Sequence, residues 1–84
     1  MSNPVRISGV IITLNEARHI RACIESMLPV VDEVVVIDSF STDETPAICQ
    51  ELGARFLQHP FEGHIEQKNY AMQQAKYDYV LSLD

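Results

Sequence analysis

The chain has 84 residues, 46% of them apolar and 21% charged, with three Gly and four Pro. That composition excludes collagen-like, low-complexity and disordered classes. Six basic residues stand against twelve acidic ones, for a net charge of −6 and no Lys/Arg cluster, so a phosphate-tracking nucleic-acid surface is excluded. Two cysteines do not make a disulfide framework. No apolar run approaches the roughly 20 residues of a membrane span, and the start MSNPVRIS lacks a signal-peptide core. The default compartment is the cytosol.

Residues 7–14 (ISGVIITL) are β-branched and nearly continuously apolar, which predicts a strand buried on both faces. Ile20, Cys23, Ile24 and Met27 then fall on one helical stripe, with Asn15 as the predicted N-cap and Pro29 as the stop. Residues 33–38 (EVVVID) predict a second buried strand. Ser41 and Glu44 have capping-box spacing, Pro46 suits a first turn, and Gly53 suits a left-handed helix end. Residues 54–58 predict a third strand and 59–63 a loop. A helix over 64–76 follows, with Ile65, Ala71, Met72 and Ala75 expected to face inward. Residues 79–83 predict a fourth strand.

Strands alternating with helices imply parallel pairing through right-handed crossovers. The fold class is α/β: an open, doubly wound, mainly parallel sheet. The last residues, Tyr79 to Asp84, are apolar and strand-like, which predicts a chain cut from a longer one. The fourth strand is expected to be central in the full sheet, beside the first. Leaving it uncovered predicts self-association of the isolated chain.

In such sheets ligands bind beyond the carboxyl ends of the strands. Glu16, Asp38, Asp43 and Asp84 fall there, with Thr13, Asn15, Ser39, Ser41, Thr42 and His59 among them. An Asp ending a Val-Val-Val-Ile strand is poorly placed for packing and well placed to accept hydrogen bonds from a base or sugar. Asn15 and Ser41 also serve as ordinary caps, and Asp43 suits a helix dipole. His19 reads as a solvated helix residue, Cys23 and Cys49 as buried thiols. His59 and His64 flank a Pro-Phe-Glu-Gly turn that borders this edge. Lys68 lies early in the last helix, in the polar centre Gln67-Lys68-Asn69. There is no G-x-G-x-x-G, no P-loop and no G-x-S-x-G. An acidic, hydroxyl-rich edge holds a diphosphate only with a hard cation such as Mg²⁺ or Mn²⁺ between them.

Four segments, residues 11–16 (IITLNE), 35–45 (VVIDSFSTDET), 67–71 (QKNYA) and 80–84 (VLSLD), together resemble the family 2 glycosyltransferases of the GT-A fold. The resemblance runs from residue 7 to residue 84. TLNEARHI, IDSFSTDET, FEGHIEQKNYA and YVLSLD look most like the bacterial branch that adds glucose to the lipopolysaccharide inner core. The resemblance implies a nucleotide-binding set of Thr13, Asn15, Glu16, Asp38, Ser39, Lys68 and Asp84, with Asp38 on the uracil ring. Asp84 would open the D-x-D motif that holds ribose and a divalent cation, Mg²⁺ or Mn²⁺. Residues 1–84 would be the partial nucleotide-sugar-binding domain, cut at that motif. Many relatives carry a second Asp after the one at position 38, where this chain has Ser39.

The activity implied is inverting transfer from a UDP-sugar, with UDP-glucose as the sub-branch suggests, to a saccharide such as lipopolysaccharide core. The general base is expected beyond residue 84, so these 84 residues alone are expected to be inactive. A lipopolysaccharide acceptor implies work at the cytoplasmic face of the inner membrane. Two other classes share the topology. A phospho-acceptor receiver wants an acidic pair at the first strand end and an Asp at the third, where this chain has Asn15-Glu16 and Gln58-His59. A nucleotidyltransferase wants a glycine-rich, basic turn where this chain has Thr13-Leu14-Asn15-Glu16.

Overall fold

The structure is a computed structural model and describes residues 5–83. Its elements in chain order are β1 (Ile7–Thr13), α1 (Ile20–Met27), β2 (Glu33–Asp38), α2 (Thr45–Glu51), β3 (Arg55–Gln58), α3 (His64–Gln74) and β4 (Tyr79–Leu83). The strands form one sheet in the order β3-β2-β1-β4, and every pair is parallel. β1 to β3 step outward in one direction. The chain then crosses back to lay β4 on the other side of β1. The strand order therefore reverses between β1 and β4, where open sheets of this kind bind ligands.

Helices cover both faces. Ile11, Val34 and Val36 point to one side and pack with Ile20, Ile24 and Met27 of α1 and Cys49 of α2. Val10, Val35 and Ile37 point to the other and pack with Ala71 of α3. This alternation is why β1 and β2 are apolar at nearly every position. Gly9 faces α1 at close range: a Cβ there would lie 2.5 Å from Met27 Cε and 3.2 Å from Val31 Cγ1.

Three local expectations are corrected. Asn15 does not cap α1, which starts five residues later, with the N–H groups of His19 and Ile20 on the Glu16 carbonyl. Asn15 is instead left-handed, at φ 53°, a conformation Asn tolerates better than most residues. Ser41 and Glu44 form no capping box; Glu44 precedes α2 without a side-chain cap, and Asp43 Oδ1 takes the Thr45 N–H at 2.9 Å. On α3 the buried positions are Gln67 and Ala71, while Ile65 is 74% and Met72 54% exposed. The helix is rotated because the Gln67 amide finds polar partners under the sheet edge. Gly53 takes the left-handed conformation predicted for it, at φ 79°.

Candidate functional site

The β1–β2 register pairs Thr13 with Asp38 at the carboxyl end of the sheet. Both fall on the α1/α2 side, since Ile11 and Val36 two residues earlier face that way. The Thr13 hydroxyl donates to Asp38 Oδ1 at 2.7 Å. The Ser41 N–H donates to Oδ2 at 2.7 Å, its hydroxyl donates to Oδ1 at 2.5 Å, and Gln58 Nε2 reaches Oδ2 at 3.4 Å. Asp38 has no exposed surface and Thr13 only 2%. The carboxylate thus spends its lone pairs on the protein, holding the β2–α2 loop down against β1.

Above that buried layer the two loops lock together. The Asn15 N–H donates to Ser41 Oγ at 2.7 Å, and Asn15 Oδ1 accepts the Thr42 N–H at 2.9 Å. The Glu16 N–H donates to Thr45 Oγ1 at 2.9 Å, and the Ala17 N–H to Asp43 Oδ2 at 3.1 Å. The Thr45 side chain holds the Asp43 carboxyl below its ordinary range; burial, the next-largest effect, opposes it, and backbone N–H groups including those of Thr45 and Ala17 add to the lowering. Burial and then the Glu16 charge push the Cys23 thiol up. Burial and then the Asp38 charge push Cys49 up to about 11. Both cysteines are free, and protonated thiols are inert.

The other side of the edge comes from α3. Ser39 alternates to the α3 face, where Gln67 Nε2 donates to its hydroxyl at 3.0 Å. Gln67 Oε1 pairs with His59 Nδ1 at 3.0 Å, and the His59 N–H donates to the Asp38 carbonyl at 2.9 Å. The His59 ring stacks on Tyr70 at 3.8 Å. His59 is therefore a strut for the loop. A cavity of about 330 Å³ opens between the two halves, lined by Ile12, Thr13, Leu14, Glu16, Ser39, Phe61 and His64. Lys68 follows His64 by four residues, on the same side of α3, and is half-buried.

The structure thus brings Thr13, Glu16 and Ser39 into one cavity and puts Asn15 on its rim loop. It places Asp38 beneath. Asp84 lies outside the described residues. Gln67 and Phe61 were not among the sequence's site candidates, and His64 entered only as a flank of the turn bordering this edge. The signal for Phe61 was its place in that turn; buried Gln67 had none, because a Gln in a polar run reads as solvated. Among the described residues no three His, Cys, Asp or Glu side chains could hold a metal ion. Asp38 and Asp43 already spend their oxygens on loop N–H and hydroxyl groups, so the described residues do not fit a cation.

A cavity at the carboxyl ends of β1 and β2, in an open parallel sheet with helices on both faces, fits the GT-A fold class. Residues 8–84 match the model of the family described as glycosyl transferase family 2. The chain belongs to the family 2 glycosyltransferases. It is 44% identical over 79 residues to an uncharacterized glycosyltransferase of Rickettsia felis, covering 94% of this chain and 28% of that protein. It is 36% identical over 83 residues to the lipopolysaccharide core biosynthesis glycosyltransferase LpsC of Rhizobium meliloti, covering 93% of this chain and 30% of that protein. Among solved structures it resembles glucosyl-3-phosphoglycerate synthase from Mycobacterium tuberculosis in complex with Mn²⁺, UDP and glucosyl-3-phosphoglycerate. The TM-score is 0.82 at 32% identity, over 95% of this chain and 33% of that one. The chain thus spans roughly a third or less of the proteins it matches.

Proposed function

We propose that the full protein transfers a sugar from a UDP-sugar to a saccharide acceptor with inversion, and that residues 1–84 supply its base- and ribose-binding part. The observation that carries this is the cavity at the carboxyl ends of β1 and β2, lined by Glu16 and Ser39 with Asn15 on its rim loop. In this reading Asn15, Glu16 and Ser39 meet the nucleoside, and Lys68 approaches it from α3. Thr13 and Asp38 hold that surface from below. UDP-glucose as donor is supported by the synthase structure that holds Mn²⁺, UDP-glucose and glycerol 3-phosphate, at a TM-score of 0.79 and 31% identity. A lipopolysaccharide-core acceptor is supported by the likeness to LpsC. It would place the work at the cytoplasmic face of the inner membrane; among the described residues no helix is long and apolar enough to cross it.

Asp84 is the proposed first ligand of a divalent cation, Mg²⁺ or Mn²⁺, which would stabilise the departing diphosphate. A general base elsewhere in the protein would take the acceptor hydroxyl proton. The 84 residues alone are proposed to lack that base and a complete cation site, to be inactive, and to self-associate through β4, where Tyr79 is 63% and Leu81 38% exposed. The test is calorimetric titration of the full-length protein with UDP, UTP and CTP, with and without Mn²⁺. Mn²⁺-strengthened binding of UDP is expected, and Ser39→Ala weakens it. Tighter binding of the triphosphates favours a nucleotidyltransferase, and no UDP binding refutes the proposal.

A further inference from the structure

Among the described residues Phe61 is the one aromatic ring other than His64 lining the cavity, and it is 49% exposed. Exposing half a phenyl ring is unfavourable at roughly 25 cal/mol per Å², yet its loop is built to keep it in place. His59 anchors the loop's start through the Asp38 carbonyl, Gln67 and the Tyr70 ring. Gly63 turns the chain into α3 at φ 138°, a conformation side-chain-bearing residues rarely adopt. The His64 ring meets Phe61 edge-on, at 5.2 Å and 82°, the T-shaped arrangement that fixes a ring's plane. The remaining lining divides by type. Ile12 and Leu14 are aliphatic, while Glu16 can accept and Ser39 can donate hydrogen bonds at the rim of a ring. A cavity with an aromatic face, aliphatic walls and an edge of polar groups suits a flat heterocycle. The Glu16 carboxylate works against a diphosphate in the same space.

Building on the proposed nucleotide role, we propose that Phe61 is a binding residue whose face stacks on the nucleobase, with His64 holding its ring plane. The base then lies in the cavity and the phosphates point away from Glu16. Phe61 belongs to the loop between β3 and α3, outside the set expected from β1, β2 and Lys68.

The experiment measures UDP, uridine and inorganic pyrophosphate binding by the full-length protein and its Phe61→Ala, Phe61→Leu and Phe61→Trp variants. Thermal melts of each variant accompany the titrations. Stacking lost on truncation predicts a weakening of about ten- to a hundredfold for UDP and uridine in Phe61→Ala. Phe61→Leu is intermediate and Phe61→Trp retains affinity. Pyrophosphate binding stays unchanged. Equal UDP affinity in wild type and Phe61→Ala overturns the stacking role while leaving the nucleotide site intact. Equal losses for UDP and pyrophosphate also overturn it, since they would mark a general collapse of the site. Absence of UDP binding by the wild type overturns both this proposal and the function it rests on.

Discussion

Removing the buried carboxylate at position 38 separates a structural from a contacting role. In Asp38→Ala the Thr13 hydroxyl and the Ser41 N–H lose their acceptor. Thr13 is 2% exposed, so water does not readily replace it. Each stranded donor costs about 1–3 kcal/mol, for a total of about 2–6 kcal/mol. Native proteins are typically stable by about 5–15 kcal/mol, so the loss is a large share. Asp38→Asn keeps one oxygen for the Ser41 N–H and offers an amide that the Thr13 and Ser41 hydroxyls accept, so it costs about 1–2 kcal/mol. Denaturant melts of the full-length protein measure both, and amide exchange at Ser41 reports the loop directly. UDP affinity in Asp38→Asn stays within a fewfold of wild type where the melt is intact, while Ser39→Ala loses affinity at a stability cost of about 1–3 kcal/mol, since the buried Gln67 Nε2 loses its Ser39 Oγ acceptor. An Asp38→Ala loss below about 1 kcal/mol refutes the accounting. An Asp38→Asn variant of wild-type stability that no longer binds UDP refutes the burial argument and restores Asp38 as a direct contact.

Phe40 stands left-handed at φ 59° with 54% of its surface exposed; Phe40→Gly relieves that backbone and raises stability by about 0.5–1 kcal/mol in a denaturant melt. The Cys49 thiol keeps its proton up to about 11 in the folded chain against 9.0 for an ordinary thiol. The unfolded state binds fewer protons between those values, so this contribution is complete below about pH 9 and lost as pH rises through 11. The gap corresponds to about 3 kcal/mol, and Cys49→Ala flattens the alkaline limb of the pH–stability curve. Gln67→Leu strands Ser39 Oγ and His59 Nδ1; it costs about 1–3 kcal/mol in a melt and loosens the 59–63 loop, read as faster amide exchange at Phe61.

The strands were legible because their signal is redundant. Val34 to Ile37 fill both faces of the sheet, and no helix period fits them. The pairing of β4 with β1 matches the expectation that the fourth strand lies beside the first. Helix caps were not legible, because Asn15, Ser41 and Asp43 are good caps and good cross-linkers alike. Which use wins depends on a partner about 26 residues away in the chain, as Asn15 and Ser41 show. The facing of α3 was only half legible, Ala71 and Ala75 packing inward as expected and Ile65 and Met72 not, for a related reason. Its apolar residues are too few to fix a stripe, so the Gln67 amide decides the rotation by meeting Ser39 and His59.

The same logic sorts the candidate site into two layers. Composition marks a strand-end Asp as chemically available, and the Thr13–Asp38 register removes it from solvent. What remains exposed to a ligand are the groups one residue further on, Leu14 and Ser39, because a strand alternates its side chains between faces. Ser39 faces α3 and the cavity for that reason, and Asp38 faces α2 and Cys49. A residue's reach toward a nucleotide is therefore set by the parity of its position on β2. A second carboxylate at position 39 would have faced the cavity directly. Serine there leaves Glu16 as the acidic group lining the described cavity, and makes Glu16→Gln, more than any change at Asp38, the substitution that should alter which base is accepted.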